Sequence, residues 1–149
     1  MNAESLLTRI IRAISEVHLE VVLIGNAAAA LQGAPVTTVD FDFFFRDTPA
    51  NLRKLKAFAK RIDGVVLRPF YPVSKLYRVM NDDLGLQVDF MAQIHGVNSF
   101  ALLRSRATLL EIGEYRLLVA ALADIIRSKS ISGRERDLAV LPVLQTTVE

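Results

Sequence analysis

The chain contains no cysteine, so disulfide bonds and thiolate zinc sites are excluded. That fits a reducing compartment, and the expected location is the cytoplasm. No apolar run approaches the ~20 residues of a membrane span; the longest, Leu117–Ala123, falls far short, so no membrane partner is expected. In the first segment, "MNAESLLTRIIRAISEV", arginines break every apolar cluster, which denies it the continuous centre of a secretion signal. Repeats, low-complexity tracts and linkers are missing, as are a Walker-type phosphate loop and a nucleophile–histidine–acid arrangement. The two histidines, His18 and His95, are too far apart in motif context to form a zinc pair. A net charge of +2 is too small to mark a nucleic-acid binder by itself.

What is present has the composition of one folded domain: 149 residues, 52% hydrophobic and 23% charged. The chain is expected to form a single domain over residues 1–149, with a core of about 1–118 and helices over about 119–146. Leu7, Ile10, Ile14 and Val17 predict an amphipathic helix over residues 3–17. "EVVLIG" reads as a buried strand and "NAAAALQG" as a helix capped by Asn26 and stopped by Gly33. "TVDFDFFFR" is the next strand, and Thr48–Pro49 opens a helix running to Ile62. "GVVLRPF", "KLYRVMN" and "LGLQVDFMA" are strand-like, the last two joined by a turn at Asn81–Gly85. "ATLLEIGEYRLLVA" predicts a hairpin turning at Gly113, followed by helices over Ala120–Lys129 and Arg134–Gln145, the second kinked at Pro142. The fold class is α/β (α+β), a mixed twisted sheet flanked by helices with a short helical pair at the end.

"VDFDFFF" combines four phenylalanines with two acids. Strand alternation sends Asp40 and Asp42 to one side, roughly 6.5–7 Å apart, and Phe41, Phe43 and Phe45 to the other. Two solvated acids on a half-exposed strand satisfy this pattern; so does a divalent-cation site, since hard oxygen ligands suit Mg²⁺. In "LQVDFM", Asp89 is again an acid among apolar residues, with Leu86, Val88 and Phe90 on the opposite side. An antiparallel pairing of the two strands would bring Asp89 beside Asp40 and Asp42. Three convergent carboxylates repel unless cations lie between them, which is the arrangement of a two-metal phosphoryl-transfer site. Upstream, Gly25–Asn26 turns a strand into a helix. Such a turn either presents backbone N–H groups to an anion or simply joins two elements. Arg53, Lys54, Lys56, Lys60 and Arg61 form a basic set on the third helix, either a solvated face or a surface for an RNA backbone.

Taken in order, "LIGNAAAALQGAPVTTVDFDFFF", "LQVDFM" and "LADIIRSKSISGRERDLAVLPVL" resemble the nucleotidyltransferase superfamily with its polymerase-β-like core. The resemblance is greatest to small bacterial and archaeal members related to toxin–antitoxin and abortive-infection nucleotidyltransferases. Gly25, Gly33, Thr38, Asp40 and Asp42 match the glycine and Asp-x-Asp motifs, and Asp89 the distal acid. Leu122, Asp124, Ile126, Lys129, Arg134, Asp137 and Leu138 match the helical tail. Two positions depart: Asn26 stands where Gly or Ser is usual, and Val36 where an arginine often precedes the first acid.

The resemblance implies that Asp40, Asp42 and Asp89 are catalytic and hold Mg²⁺ (or Mn²⁺) on a nucleoside triphosphate such as ATP. Asp89 would also help deprotonate the acceptor hydroxyl. Gly25, Asn26, Thr38, Lys129 and Arg134 would bind the nucleotide, with Asp124 and Asp137 orienting cations or capping helices. The implied reaction transfers a nucleoside monophosphate to a hydroxyl on a tRNA, a protein or a small molecule, with a partner protein supplying acceptor recognition. The alternative is a weak or inactive module of the same fold that binds a nucleotide or a protein partner of toxin–antitoxin type.

Overall fold

The computed structural model describes residues 5–36, 40–67, 76–97 and 99–148. Thr38 and residues 68–70 of the expected third strand lie outside them. The described elements are helix α1 (Leu6–Val17), strand β1 (Val21–Ile24), α2 (Gly25–Leu31), β2 (Phe41–Phe45), α3 (Pro49–Arg61), β3 (Val65–Leu67) and β4 (Leu76–Asn81). After a short 3₁₀ turn at Asp82–Leu84 come β5 (Leu86–Met91), α4 (Phe100–Arg106), β6 (Thr108–Ile112), β7 (Tyr115–Val119), α5 (Leu122–Ser132) and α6 (Glu135–Val148). The strands form one seven-stranded mixed sheet in the order β3-β4-β5-β2-β1-β7-β6. This is the mixed α/β architecture that the pattern of apolar residues predicts. No helix among the described residues is long and apolar enough to cross a membrane.

The core lies mainly between one side of the sheet and the α1–α3 layer. Phe43 and Phe90, neighbours on β2 and β5, stack with centroids 5.5 Å apart, and Phe58 from α3 meets Phe90 edge-on at 5.4 Å. Such pairs contribute about 0.5–1.5 kcal/mol each beyond area burial. Ile10, Ile11 and Ile14 bury the inner stripe of α1, which packs on α3 and β7. Helix starts follow side-chain caps: Ser5 Oγ accepts from Thr8 N at 3.1 Å, and Thr48 Oγ1 accepts from Asn51 N at 3.1 Å with Pro49 in the first turn. The last helix continues through Pro142 to Val148, beyond the expected end at Gln145.

One expectation is corrected by the topology. β2 and β5 pair parallel, not antiparallel, because α3 and the β3–β4 hairpin return the chain so that β5 re-enters in the direction of β2. The acid-bearing side of β2 is not acidic throughout. Phe44 shares that side with Asp42, yet it is buried and meets Phe100 of α4 edge-on at 5.7 Å. Helix α4 covers the far end of the strand, so only the entrance of β2 is left for the acids.

Asn51, fully buried on α3, ties this framework together. Its Oδ1 accepts from Glu20 N, and its Nδ2 donates to Glu20 O and Arg46 O, all at 2.9 Å. One side chain thus joins the approach to β1 with the exit from β2. Asn51→Ala leaves the Glu20 N–H without its partner, while the Glu20 and Arg46 carbonyls keep bonds from Arg46 N and Thr48 N, and should lower stability by about 1–3 kcal/mol in urea denaturation. A loss well below 1 kcal/mol would contradict this role for Asn51.

Candidate functional site

A single row of residues crosses four strands on the side of the sheet away from Phe43 and Phe90. Arg78 on β4 is in register with Asp89 on β5, Asp89 with Asp42 on β2, and Asp42 with Ile24 on β1. Directly paired residues share a face, so the two carboxylates lie side by side with a guanidinium next in line. Asp40 is exposed at the entrance to β2.

Chain direction puts Gly25 immediately after Ile24, at the end of this row. Its φ of +69° is a left-handed conformation that favours glycine, and a Cβ built there would lie 3.2 Å from Asp42 Oδ2. Two independent constraints therefore oppose a side chain at Gly25. The expected capping role of Asn26 is not observed. Helix α2 begins at Gly25, its N-cap is Ile24 with no side-chain cap bond, and Asn26 sits inside the first turn with its Oδ1 buried and without a hydrogen-bond partner. The amino end of α2 thus lacks the capping oxygen that α1 and α3 possess.

Asp89 is buried and held as a fork: Arg78 Nε donates to Oδ1 at 2.8 Å and Nη2 to Oδ2 at 3.2 Å, with Gln87 Nε2 at 3.4 Å from Oδ2. That bond in turn raises the pKa of the Arg78 guanidinium. Asp42 is pushed up from 3.8 to about 6, first by burial, then by the charges of Asp89 and Asp40, with Lys129 and Arg136 pulling the other way. Among the described residues, no three His, Asp and Glu side chains are gathered closely enough to hold a metal ion by themselves. The expected triad is therefore a close pair, Asp42–Asp89, with Asp40 at its mouth.

The tail residues form a second cluster. Lys129 of α5, almost buried, lies 3.4 Å from Asp137 Oδ1. Ser132 Oγ and Arg134 Nε reach Asp137 Oδ2 at 2.6 and 2.7 Å. Burial alone would push the Asp137 carboxyl up, but the bonds from Ser132 and Arg134 and the charge of Lys129 hold it below its usual range. Asp137 thus orients both expected cations. Asp124 instead takes a fork from Arg106 of α4, with Nε to Oδ2 at 2.9 Å and Nη2 to Oδ1 at 3.0 Å. A shallow depression of about 220 Å³, lined by Arg9, Arg12, Ala13, Glu16, Arg61 and Ile62, belongs to the α1–α3 layer and contains no member of the acidic row.

Sequence reasoning missed Arg78 although its signal is readable. The turn at Asn81–Gly85 sets Asn81 opposite Leu86, and counting back three pairs puts Arg78 opposite Asp89.

Magnesium commonly takes one or two carboxylates and completes its shell with phosphate oxygens and water. The Asp42–Asp89 pair fits such an ion: its donors are all oxygen, they are adjacent, and their mutual repulsion is what a cation relieves.

No family model matches the chain, and no curated protein matches its sequence. Solved structures match its fold. The solution structure of the antibiotic-resistance factor ANT(2'')-Ia aligns with a TM-score of 0.66 at 14% identity, over 96% of this chain and 82% of that one. The crystal structure of ANT(2'')-Ia in complex with adenylyl-2''-tobramycin gives 0.64 at 15% identity, covering 97% and 88%. JHP933 from Helicobacter pylori gives 0.59 at 18% identity, covering 94% and 63%. These matches assign the chain the nucleotidyltransferase fold.

The Asp42 shift has a consequence for stability. A carboxyl whose folded pKa lies above its unfolded value destabilises the fold once ionised, so without metal the protein should lose stability as pH rises from about 4 to about 6. Asp42→Asn should therefore stabilise the metal-free protein at pH 8 by on the order of 2 kcal/mol, allowing for solvent screening. At pH 4 the gain should vanish. Paired urea titrations at the two pH values measure it, and an equal effect at both would contradict the raised Asp42 pKa.

Proposed function

We propose that the protein is a nucleotidyltransferase that moves a nucleoside monophosphate from a nucleoside triphosphate to a hydroxyl acceptor and releases pyrophosphate. The observation that carries this reading is the in-register Asp42–Asp89 pair with the Gly25 turn against Asp42.

In this reading Asp42 and Asp89 hold divalent metal, Mg²⁺ or Mn²⁺, with Asp40 contributing from the strand entrance. When bound, the metal neutralises charge on the triphosphate and on the leaving pyrophosphate. The chain's own groups do the rest. The uncapped amino end of α2, at Gly25–Asn26, offers backbone N–H groups to phosphate oxygens. Lys129, whose charge already acts on Asp42, adds a fixed positive field, with Arg134 sharing its Asp137 anchor. Thr38 belongs to the same nucleotide-binding proposal by motif. The acceptor oxygen bonds to the α-phosphorus, the bond from that phosphorus to the bridging β-oxygen breaks, and the electron pair leaves with pyrophosphate. Asp89 takes the hydroxyl proton: an ionised carboxylate offers about four lone-pair positions, of which the Arg78 fork fills two, and the long Gln87 contact at 3.4 Å gives way to the metal or the proton. Catalysis on this scheme is positioning plus charge neutralisation.

The ANT(2'')-Ia complex contains an adenylylated aminoglycoside, which supports a small polyhydroxylated acceptor as one class beside a tRNA end or a protein side chain. A separate partner protein could present the acceptor.

Thermal denaturation with each nucleoside triphosphate and Mg²⁺ tests the nucleotide site. At least one triphosphate should raise the Tm of the wild type, and Asp42→Ala should remove that increment. Pyrophosphate release should fall about 100-fold or more in the same variant. If no triphosphate shifts the wild type, the proposal fails. Binding without pyrophosphate release from the triphosphate, whichever hydroxyl acceptor is supplied, would identify the non-catalytic module instead.

A further inference from the structure

We propose that Arg78 is the resident counter-ion of the acidic row: it holds the Asp89 carboxylate beside Asp42 while no divalent ion is bound, and a bound divalent ion takes over part of that work. This inference rests on the metal-binding reading above and concerns a residue that none of the motifs contains.

Three observations support it. The first is position. Arg78 is the cross-strand neighbour of Asp89 in the same row as Asp42, so its charge sits at the end of a line of two adjacent carboxylates. The second is geometry. The Nε–Oδ1 and Nη2–Oδ2 bonds fix both oxygens of Asp89, and a fork of this kind sets the plane of a carboxylate, which a lysine ammonium cannot do. The third is the reach of the field. Besides Asp89, the charges of Asp40 and Asp42 also act on Arg78, so the guanidinium answers to all three acids.

An ordinary hairpin ion pair would stabilise β4 against β5 whether or not metal is present. A resident counter-ion behaves differently, because the guanidinium and a divalent ion relieve the same repulsion. Removing one should increase the effect of the other, so the two are coupled with opposite sign. Arg106 provides the internal comparison. It makes the same forked contact with another buried acid, Asp124, away from the Arg78–Asp89–Asp42–Ile24 row.

The test is thermal denaturation of the full chain with chelator and with saturating Mn²⁺, without nucleotide, for the wild type and for Arg78→Gln, Arg78→Lys and Arg106→Gln. Arg78→Gln should lower the Tm more in chelator than in Mn²⁺, so that the Mn²⁺-induced rise is about twofold that of the wild type. Arg78→Lys, which keeps the charge but not the fork, should fall between the two, and it carries the comparison if Arg78→Gln does not fold in chelator. Arg106→Gln should lose the same Tm in both conditions. The inference is overturned if the wild type responds to Mn²⁺ but Arg78→Gln and Arg78→Lys lose equal Tm with and without it. A wild type indifferent to Mn²⁺ removes the metal-binding reading itself, and the inference with it.

Discussion

Two carboxylates set opposite one another on neighbouring strands repel, and here the register of β2 against β5 holds Asp42 and Asp89 in that relation. The register cannot relax locally, because the same strands carry Phe43 and Phe90 on their other side, stacked on each other and closed over by Phe58. A one-residue slip would turn the phenylalanines towards the acids' side and the acids into the core. Hydrophobic packing on one side of the sheet thus enforces electrostatic strain on the other. Burial pushes the Asp42 pKa up most, and the charges of Asp89 and Asp40 add to it.

The surrounding residues can be understood as responses to this constraint. Arg78 neutralises one member of the pair from β4. Gly25 leaves Asp42 room that a side chain would take. Asn51 joins the approach to β1 to the exit from β2, holding together the two strands that bring Gly25 to Asp42. Asp137 fixes Lys129 close enough for its charge to be felt at Asp42. None of these contacts is needed to form a sheet; those of Arg78, Gly25 and Lys129 bear on the row, and those of Asn51 brace the opposite end of β1 and β2.

Much of this was legible in the sequence because strand alternation and glycine chemistry are local. Asp42 and Asp89 stand out as lone acids in apolar runs, and Thr48–Pro49 marks the start of α3 where it is found. What local pattern could not supply was direction and cover. The parallel pairing of β2 with β5 depends on how α3 and a whole hairpin return the chain, and the burial of Phe44 depends on α4, a helix not anticipated from periodicity. Asn26 misled for a related reason. Its residue type suits a cap, but the N-cap position falls two residues earlier, at Ile24, and the helix starting at the positive-φ Gly25 takes Asn26 into its first turn. Arg78 was within reach, since the turn at Asn81–Gly85 fixes its partner by counting, but an arginine in a strand carries no motif to prompt the count.

In the proposed function this row holds a divalent ion between Asp42 and Asp89, with a triphosphate against the Gly25 turn. The most direct measurement is anomalous scattering from crystals grown with Mn²⁺ and a non-hydrolysable nucleoside triphosphate analogue. The account predicts a manganese peak in contact with both carboxylates and with phosphate oxygens, and phosphates at the amino end of α2. A nucleotide bound elsewhere, or manganese peaks that avoid Asp42 and Asp89, would contradict it.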